Sequence, residues 1–162
     1  MFSTPMRSTE EETVNAYTHL LWSVLSIAFC LFFLLDSSIP PKFKTSSIFM
    51  TGMSGWTFFS SFLYHMTTGR KKSQNREVDK MSIFLMIIGC GLSINMTCVD
   101  TTLAVFSSIG LVSAGSFLTL LYSHKKEPSE AFSLTSYVLL GWFCILPITG
   151  IMGDSLYNLS DN

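Results

Sequence analysis

Five apolar runs of similar length follow one another along the chain, separated by shorter polar segments. Each run is close to the ~20 residues that an α-helix needs to cross the ~30 Å hydrocarbon core of a bilayer. Helices are the expected structure, because backbone amides and carbonyls in lipid must be paired within their own segment. The pattern predicts an all-α membrane protein with five transmembrane helices, at about residues 16–35, 46–65, 81–99, 101–122 and 132–152.

The polar segments between the runs contain residues that end helices. Asp36 and the Pro40-Pro41 pair follow the first run, and proline cannot continue the hydrogen-bond ladder of a helix. Gly69 begins the segment GRKKSQNREVDK, which predicts a polar loop between the second and third helices. Only Asp100 and its neighbouring threonines interrupt the sequence between the third and fourth runs, so a tight hairpin is required there. Four helices is the alternative count.

Charged residues are few and unevenly distributed. They make up 13% of the sequence, against roughly 25% in soluble domains, and no basic stretch with interleaved aromatics suggests a nucleic-acid partner. Because Lys and Arg concentrate in cytosolic loops, we predict a multi-pass protein of the cell membrane with a cytosolic N-terminus and one transmembrane domain over residues 1–162. Five crossings place two cations, Lys42 and Lys44, outside and eight inside: Arg7, Arg70, Lys71, Lys72, Arg76, Lys80, Lys125 and Lys126.

The four cysteines all fall inside apolar runs and form no CxxC pair. We interpret them as small buried hydrophobic residues, in preference to a disulfide or a metal site. They are Cys30, Cys90, Cys98 and Cys144.

Polar and ionisable residues gather at one predicted membrane edge. Ser61 and His65 lie one turn apart at the end of the second span, and Asp79 precedes the third. Histidines beside a carboxylate and a hydroxyl are able to build a zinc site, but anchoring at the lipid interface is the interpretation that the residues alone favour. For Asp79 that interpretation is an N-terminal cap of the third helix. Others at this edge are Glu12, Asn15, Thr18, His19 and His124.

At these residues the chain resembles the hemolysin III family, in the superfamily of the progestin and adiponectin receptors. The similar stretches are Glu12-x-x-Asn15-x-x-Thr18-His19 with Ser26-Ile27-Ala28, the Ser61-x-x-x-His65 motif, Asp79 with Ile83-Phe84-Leu85, and residues 137–148. The resemblance implies seven helices, an internal N-terminus and a zinc ion near the cytosolic face. It implies that His65 is a zinc ligand, with Asp79 as candidate general base and Ser61 as orienting hydroxyl. The implied chemistry is hydrolysis of a lipid amide or ester, and Glu12 and its motif neighbours would have a structural role.

The sequence departs from the family pattern at the residues that would bind the metal. The family takes two further zinc ligands from an HxxxH motif on its seventh helix, and these 162 residues contain no HxxxH. Lys80 also replaces the histidine that usually follows the aspartate. A catalytic zinc normally has three protein ligands. The chain is therefore expected to match the first five helices and to hold an incomplete site, unless His19 and His124, or a second chain, supply the missing ligands.

Two classes of function follow from the resemblance and from the departures from it. One is a zinc-dependent lipid amide or ester hydrolase, or a relative of one with an incomplete metal site. The alternative is a non-catalytic membrane scaffold or receptor-like partner, associated with membrane lipids and with a second copy or a full-length relative. A transporter is disfavoured, because no span has a charge at mid-membrane, where substrate pathways usually need one.

Overall fold

The computed structural model describes residues 8–98, 101–124, 129 and 131–144. These residues form five α-helices: α1 (Thr9–Leu35), α2 (Pro41–Met66), α3 (Gly69–Cys98), α4 (Thr101–His124) and α5 (Ala131–Cys144). No strand occurs in this part of the chain, and the all-helical prediction is confirmed for it. The predicted hairpin residue Asp100, and residues 145–152 of the predicted fifth span, lie outside the described residues.

Three of the described helices are long and apolar enough to cross a membrane: Thr9–Leu35, Gly69–Thr97 and Val105–His124. The central one is α3, since 39% of its apolar window is buried, compared with 6% for α1 and 17% for α4. The burial of the helices differs because α3 contacts α2, α4 and α5, whereas the described contacts of α1 are with α2 and the first turns of α3. From Leu21 to Leu35 the exposed side chains of α1 are apolar, as expected for a lipid-facing helix.

Successive helices run in opposite directions. Ser23 in α1 donates to the Gly55 carbonyl in α2 at 3.0 Å, whereas Glu12 reaches His65 near the other end of α2. In the same sense, Asn95 near the end of α3 donates to Ser108 near the start of α4. The bundle therefore brings the start of α1, the end of α2 and the start of α3 to one end, where the sequence places most of its ionisable groups.

The helix ends agree with the polar signals in the sequence. Ser8 caps α1 in a capping box with Glu11, and the acidic first turn suits the positive end of the helix dipole. Asp36 ends α1 as predicted, and α2 begins at Pro41, where a missing amide proton costs nothing. Hydrogen bonds from Ser38 to the Asp36 carboxylate hold the pKa of that group below its usual value.

The prediction of a polar loop over residues 69–80 is wrong, because this segment is the first three turns of α3. Gly69 has a φ of 65° and reverses the chain directly after α2, so a long loop between α2 and α3 is not needed. Lys, Arg, Gln and Glu, which make up much of the segment, are good helix formers. Asn75 donates to Thr67 and to the Leu63 carbonyl, which holds the new helix against the end of α2. Asp79 is therefore inside a helix, and its interpretation as an N-terminal cap is also wrong.

Helix α2 is long but rich in serine, threonine and glycine, and it is not among the three helices that are long and apolar enough to cross a membrane. Hydroxyl groups of α2 form hydrogen bonds with α3 where the two helices pack together. Thr57 donates to the Ser82 carbonyl at 2.9 Å, and Ser60 donates to the Ser82 hydroxyl at 2.7 Å. Small residues and hydroxyls that bond across helices are a normal means of association in lipid. The low hydropathy of α2 therefore reflects an inner position.

Glycines set the closest approaches among α3, α4 and α5. A Cβ atom at Gly91 would collide with Leu111 and Cys144, and one at Gly115 would collide with Ile88. Helices therefore pack closely at these two glycines, whereas Gly141 faces open space. The described cysteines are free, and Cys144 lies in the core, as expected for small buried residues.

Candidate functional site

An open pocket of about 450 Å³ lies at the end of the bundle that holds the start of α1, the end of α2 and the start of α3. Asn15 and His19 on α1 are four residues apart, and Asp79 and Lys80 on α3 follow Arg76 by three and four residues, so that each set shares one face of its helix. The pocket lies near the ends of the predicted apolar spans. Its lining consists of Asn15, His19, Tyr64, His65, Arg76, Asp79 and Lys80.

Glu12 and His65 form the closest polar contact between α1 and α2. The Glu12 Oε2 atom lies 2.7 Å from His65 Nδ1, and the two side chains are 17% and 5% exposed. Because an ionised carboxylate only accepts hydrogen bonds, the Nδ1 atom of His65 carries a proton and donates a hydrogen bond to Glu12. In the neutral ring, Nε2 is then the nitrogen with a free lone pair. The contact fixes the tautomer of His65 and leaves Nε2 as an acceptor or ligand.

Lys72 from α3 completes this contact. Its Nζ atom lies 3.1 Å from the same Glu12 oxygen and 5.3 Å from the centre of the Tyr64 ring. One carboxylate therefore links all three helices, through a histidine on α2 and a lysine on α3. A partly buried carboxylate needs such partners, because an unpaired charge removed from water is costly.

His19 lies directly beside His65. The two rings are parallel to within 4°, with centroids 5.4 Å apart, and His19 also stacks on Phe58. The His19 Nδ1 atom is buried and has no hydrogen-bond partner among the described residues. A buried polar atom of this kind normally has a partner, which is often a bound water or ion. His19 is thus the polar group of the pocket that most needs one.

Asp79 and Ser61 form the third element of the site. The Ser61 hydroxyl lies beside the Asp79 carboxylate, and both histidines lie close enough to interact with it electrostatically. Ser61 is buried, and Ser60 beside it is taken up by its bonds to α3. The Asp79 carboxylate therefore has a neutral hydroxyl and two imidazole rings as neighbours.

The structure brings together most of the residues that the sequence singled out. Ser61, His65, Asp79 and His19 converge on one site, as the predicted topology requires. His124 does not line this pocket, and its Nδ1 atom lies 2.9 Å from the Leu120 carbonyl of its own helix. Sequence reasoning missed Glu12 as the partner of His65, although an acid and a histidine at the same membrane edge were a usable signal. It also missed the three cations of α3 near the pocket.

The site contains part of what a zinc ion needs. Metal-bound histidines usually donate their second ring nitrogen to a carboxylate, and the Glu12–His65 contact has this form. Within the described ranges, however, no group of three or more His, Cys, Asp or Glu side chains is arranged to hold a metal ion. Three protein ligands are normal for catalytic zinc. The described residues therefore do not fit a complete zinc site.

Several helices long and apolar enough to cross a membrane, with a polar pocket at one end of the bundle, indicate a helical membrane protein. The family model described as haemolysin-III related matches residues 7–159, which is nearly the whole chain. The protein belongs to the haemolysin-III related family, and the resemblance read from the sequence is confirmed. No curated protein and no solved structure matches the chain in the other two comparisons.

Proposed function

We propose that the pocket binds the polar end of a membrane lipid at the cytosolic leaflet. The observation that carries this proposal is a polar, open pocket at one end of α1, α2 and α3, two of which are long and apolar enough to cross a membrane, at the level where a lipid head group would lie. Asn15 and Tyr64 offer hydrogen bonds to a neutral head group. The assignment to the cytosolic side rests on the eight-to-two division of cations over five crossings.

The second candidate is a hydrolytic site, and the Asp79–Ser61 and Glu12–His65 contacts favour it. A carboxylate next to a hydroxyl is able to take a proton from a water molecule that attacks an ester or amide carbonyl, with the hydroxyl orienting the reactants. His65 Nε2 would contact the reacting oxygen or a metal ion. Family membership supports zinc as that metal. A complete zinc site requires ligands beyond the described residues, so we derive no step through it.

A non-catalytic scaffold is the remaining alternative. It requires only that the polar contacts hold α1, α2 and α3 together. The buried, unpartnered His19 nitrogen argues for a ligand, because a purely structural cluster would be expected to satisfy all its buried polar atoms. The scaffold version predicts that changes at the pocket alter stability without altering any bound molecule.

Head-group photo-crosslinking tests the lipid proposal. The full chain is reconstituted in phosphatidylcholine nanodiscs that contain a phosphatidylcholine with a diazirine on its choline group. Peptide mapping is expected to place labels on the segments that contain Asn15 and Tyr64. Labelling at the opposite helix ends, around residues 36–41, serves as the internal control. Equal labelling at both ends would show that the pocket does not select head groups and would overturn the proposal.

A further inference from the structure

The first turns of α3 carry three cations on one face. Lys72, Arg76 and Lys80 follow one another at four-residue spacing, which places them in a single row along a helix. We call this row the α3 cationic stripe. It exists because residues 69–80 are helical, since a flexible loop would not hold three side chains in line. Arg76 and Lys80 line the pocket, and Lys72 lies at its rim on Glu12 and Tyr64.

Two cations of the stripe are available for a ligand. Lys72 is paired with Glu12, but neither Arg76 nor Lys80 has an ion pair within the described part of the chain. Of the acidic groups nearby, Glu12 is shared by His65 and Lys72, and Asp79 offsets part of the charge of the neighbouring Lys80. With two cations and one carboxylate, the α3 side of the pocket has a net positive charge.

Glu77 does not line the pocket and forms no ion pair with Arg76 among the described residues. It interacts electrostatically with Tyr122 of α4 and Tyr137 of α5. Arg76 also interacts with Tyr122, and Asp79 also interacts with Tyr137. Asp79 is the only acid among the residues that line the pocket, and it lies beside Lys80.

The depth of the stripe matches the phosphate layer of a bilayer. The apolar part of α3 begins at about Met81, and a helix rises ~1.5 Å per residue. For a helix along the membrane normal, Lys80 lies at the hydrocarbon boundary and Arg76 lies ~6 Å above it. The head-group region of each leaflet is ~5–7 Å thick. Arg76 and Lys80 therefore span the layer in which lipid phosphates lie.

We propose that Arg76 and Lys80 bind the phosphate of an anionic phospholipid in this pocket. Arginine offers two parallel donors to a phosphate, and lysine adds a point charge. Asn15 and His19 would contact the rest of the head group, which gives the orphaned histidine nitrogen a partner. This inference rests on the proposed lipid-binding function and specifies its ligand class.

Native mass spectrometry of the full chain in a neutral detergent tests this assignment. Phosphatidylglycerol and phosphatidylcholine with identical acyl chains are added in equal amounts, and the bound ratio is measured. The wild type is expected to prefer phosphatidylglycerol by ~10-fold, since each nearby cation adds about a few-fold in affinity for anionic lipid. The double variant Arg76→Gln/Lys80→Gln is expected to bring the ratio close to one.

The matched control is Arg70→Gln/Lys71→Gln, which removes the same charge from the same helix away from the stripe. It is expected to keep most of the preference, with an unchanged thermal midpoint in both double variants. An equal loss in both would show general attraction to a basic surface and would overturn the assignment. If millimolar inorganic phosphate saturates the site and excludes phosphatidylglycerol, the ligand is a soluble phosphate and the lipid assignment is wrong.

The crosslinking experiment separates this inference from the function on which it rests. Phosphatidylcholine labelling of the pocket, together with no phosphatidylglycerol preference in the wild type, would contradict only the anionic assignment. Absence of pocket labelling would contradict lipid binding itself.

Discussion

Glu12 and His65 are 53 positions apart in the sequence, yet their side chains meet at 2.7 Å. The contact links the first turns of α1 to the last turn of α2, and Lys72 extends it to α3. It fixes the tautomer of a histidine in the pocket and also holds the three helices that form that pocket. The same carboxylate therefore has a structural effect and an effect on the site.

Removal of this carboxylate is expected to destabilise the bundle. Glu12→Ala leaves His65 and Lys72 without their shared acceptor, and a hydrogen bond to a charged group contributes about 1.5–3 kcal/mol. We expect a lower thermal unfolding midpoint in detergent. Glu10→Ala is the matched control, since Glu10 is exposed in the same acidic first turn. Equal midpoints for the two variants would contradict the role of the contact.

Zinc binding depends on His65 if the hydrolytic candidate is correct. The purified full chain is analysed for metal together with His65→Ala and His124→Ala. We expect less than one zinc per monomer, because the described residues supply fewer than three ligands, and a further fall in His65→Ala alone. A zinc content that is the same in all three proteins would contradict the assignment of His65 as a ligand.

Close packing at Gly91 predicts a marked asymmetry between two glycine substitutions. Gly91→Ala drives a methyl group into Leu111 and Cys144, and overpacking of this kind typically costs ~1–3 kcal/mol. Gly141→Ala meets nothing within 4 Å and is expected to be neutral or slightly stabilising. Thermal unfolding of both variants in one detergent checks this. A larger loss at Gly141 than at Gly91 would contradict the observed packing.

The helical structure of residues 69–80 predicts slow amide exchange in that segment. Backbone amides from about residue 73 onwards are in helical hydrogen bonds, whereas the connection at 36–40 is a turn. Hydrogen–deuterium exchange of the chain in nanodiscs is expected to show stronger protection over 73–80 than over 36–40. Comparable exchange in the two segments would indicate a loop, and the α3 cationic stripe would then lose its basis.

The gross arrangement of the chain was predictable because hydropathy alone marks long apolar helices. Once helices alternate in direction, Ser61, His65 and Asp79 must lie at one end, and they do. The first turns of α3 were not predictable from hydropathy. Their helical structure depends on the reversal at Gly69 and on contacts of Asn75 with α2, which are tertiary effects.

The side-chain contacts inside the site were also not predictable from the sequence. The sequence places Glu12, His19 and His65 at one edge but does not say which of them touch. That choice depends on the rotation of each helix about its axis, which is set by packing such as the Ser23–Gly55 and Thr57–Ser82 hydrogen bonds. The sequence therefore indicates only a structural role for the motif residue Glu12, and its contact with His65 is visible only in the fold.

Head-group crosslinking in Asp79→Asn and His65→Gln tests the central claim most directly, because both changes alter the chemistry of the pocket and Asp79→Asn does so without changing the size of the side chain. We predict that the diazirine phosphatidylcholine labels the pocket of the wild type and that labelling falls in both variants. The control Ser47→Ala, at the far end of α2, is expected to label as the wild type does. Undiminished labelling in both pocket variants would contradict a lipid-binding role for this site.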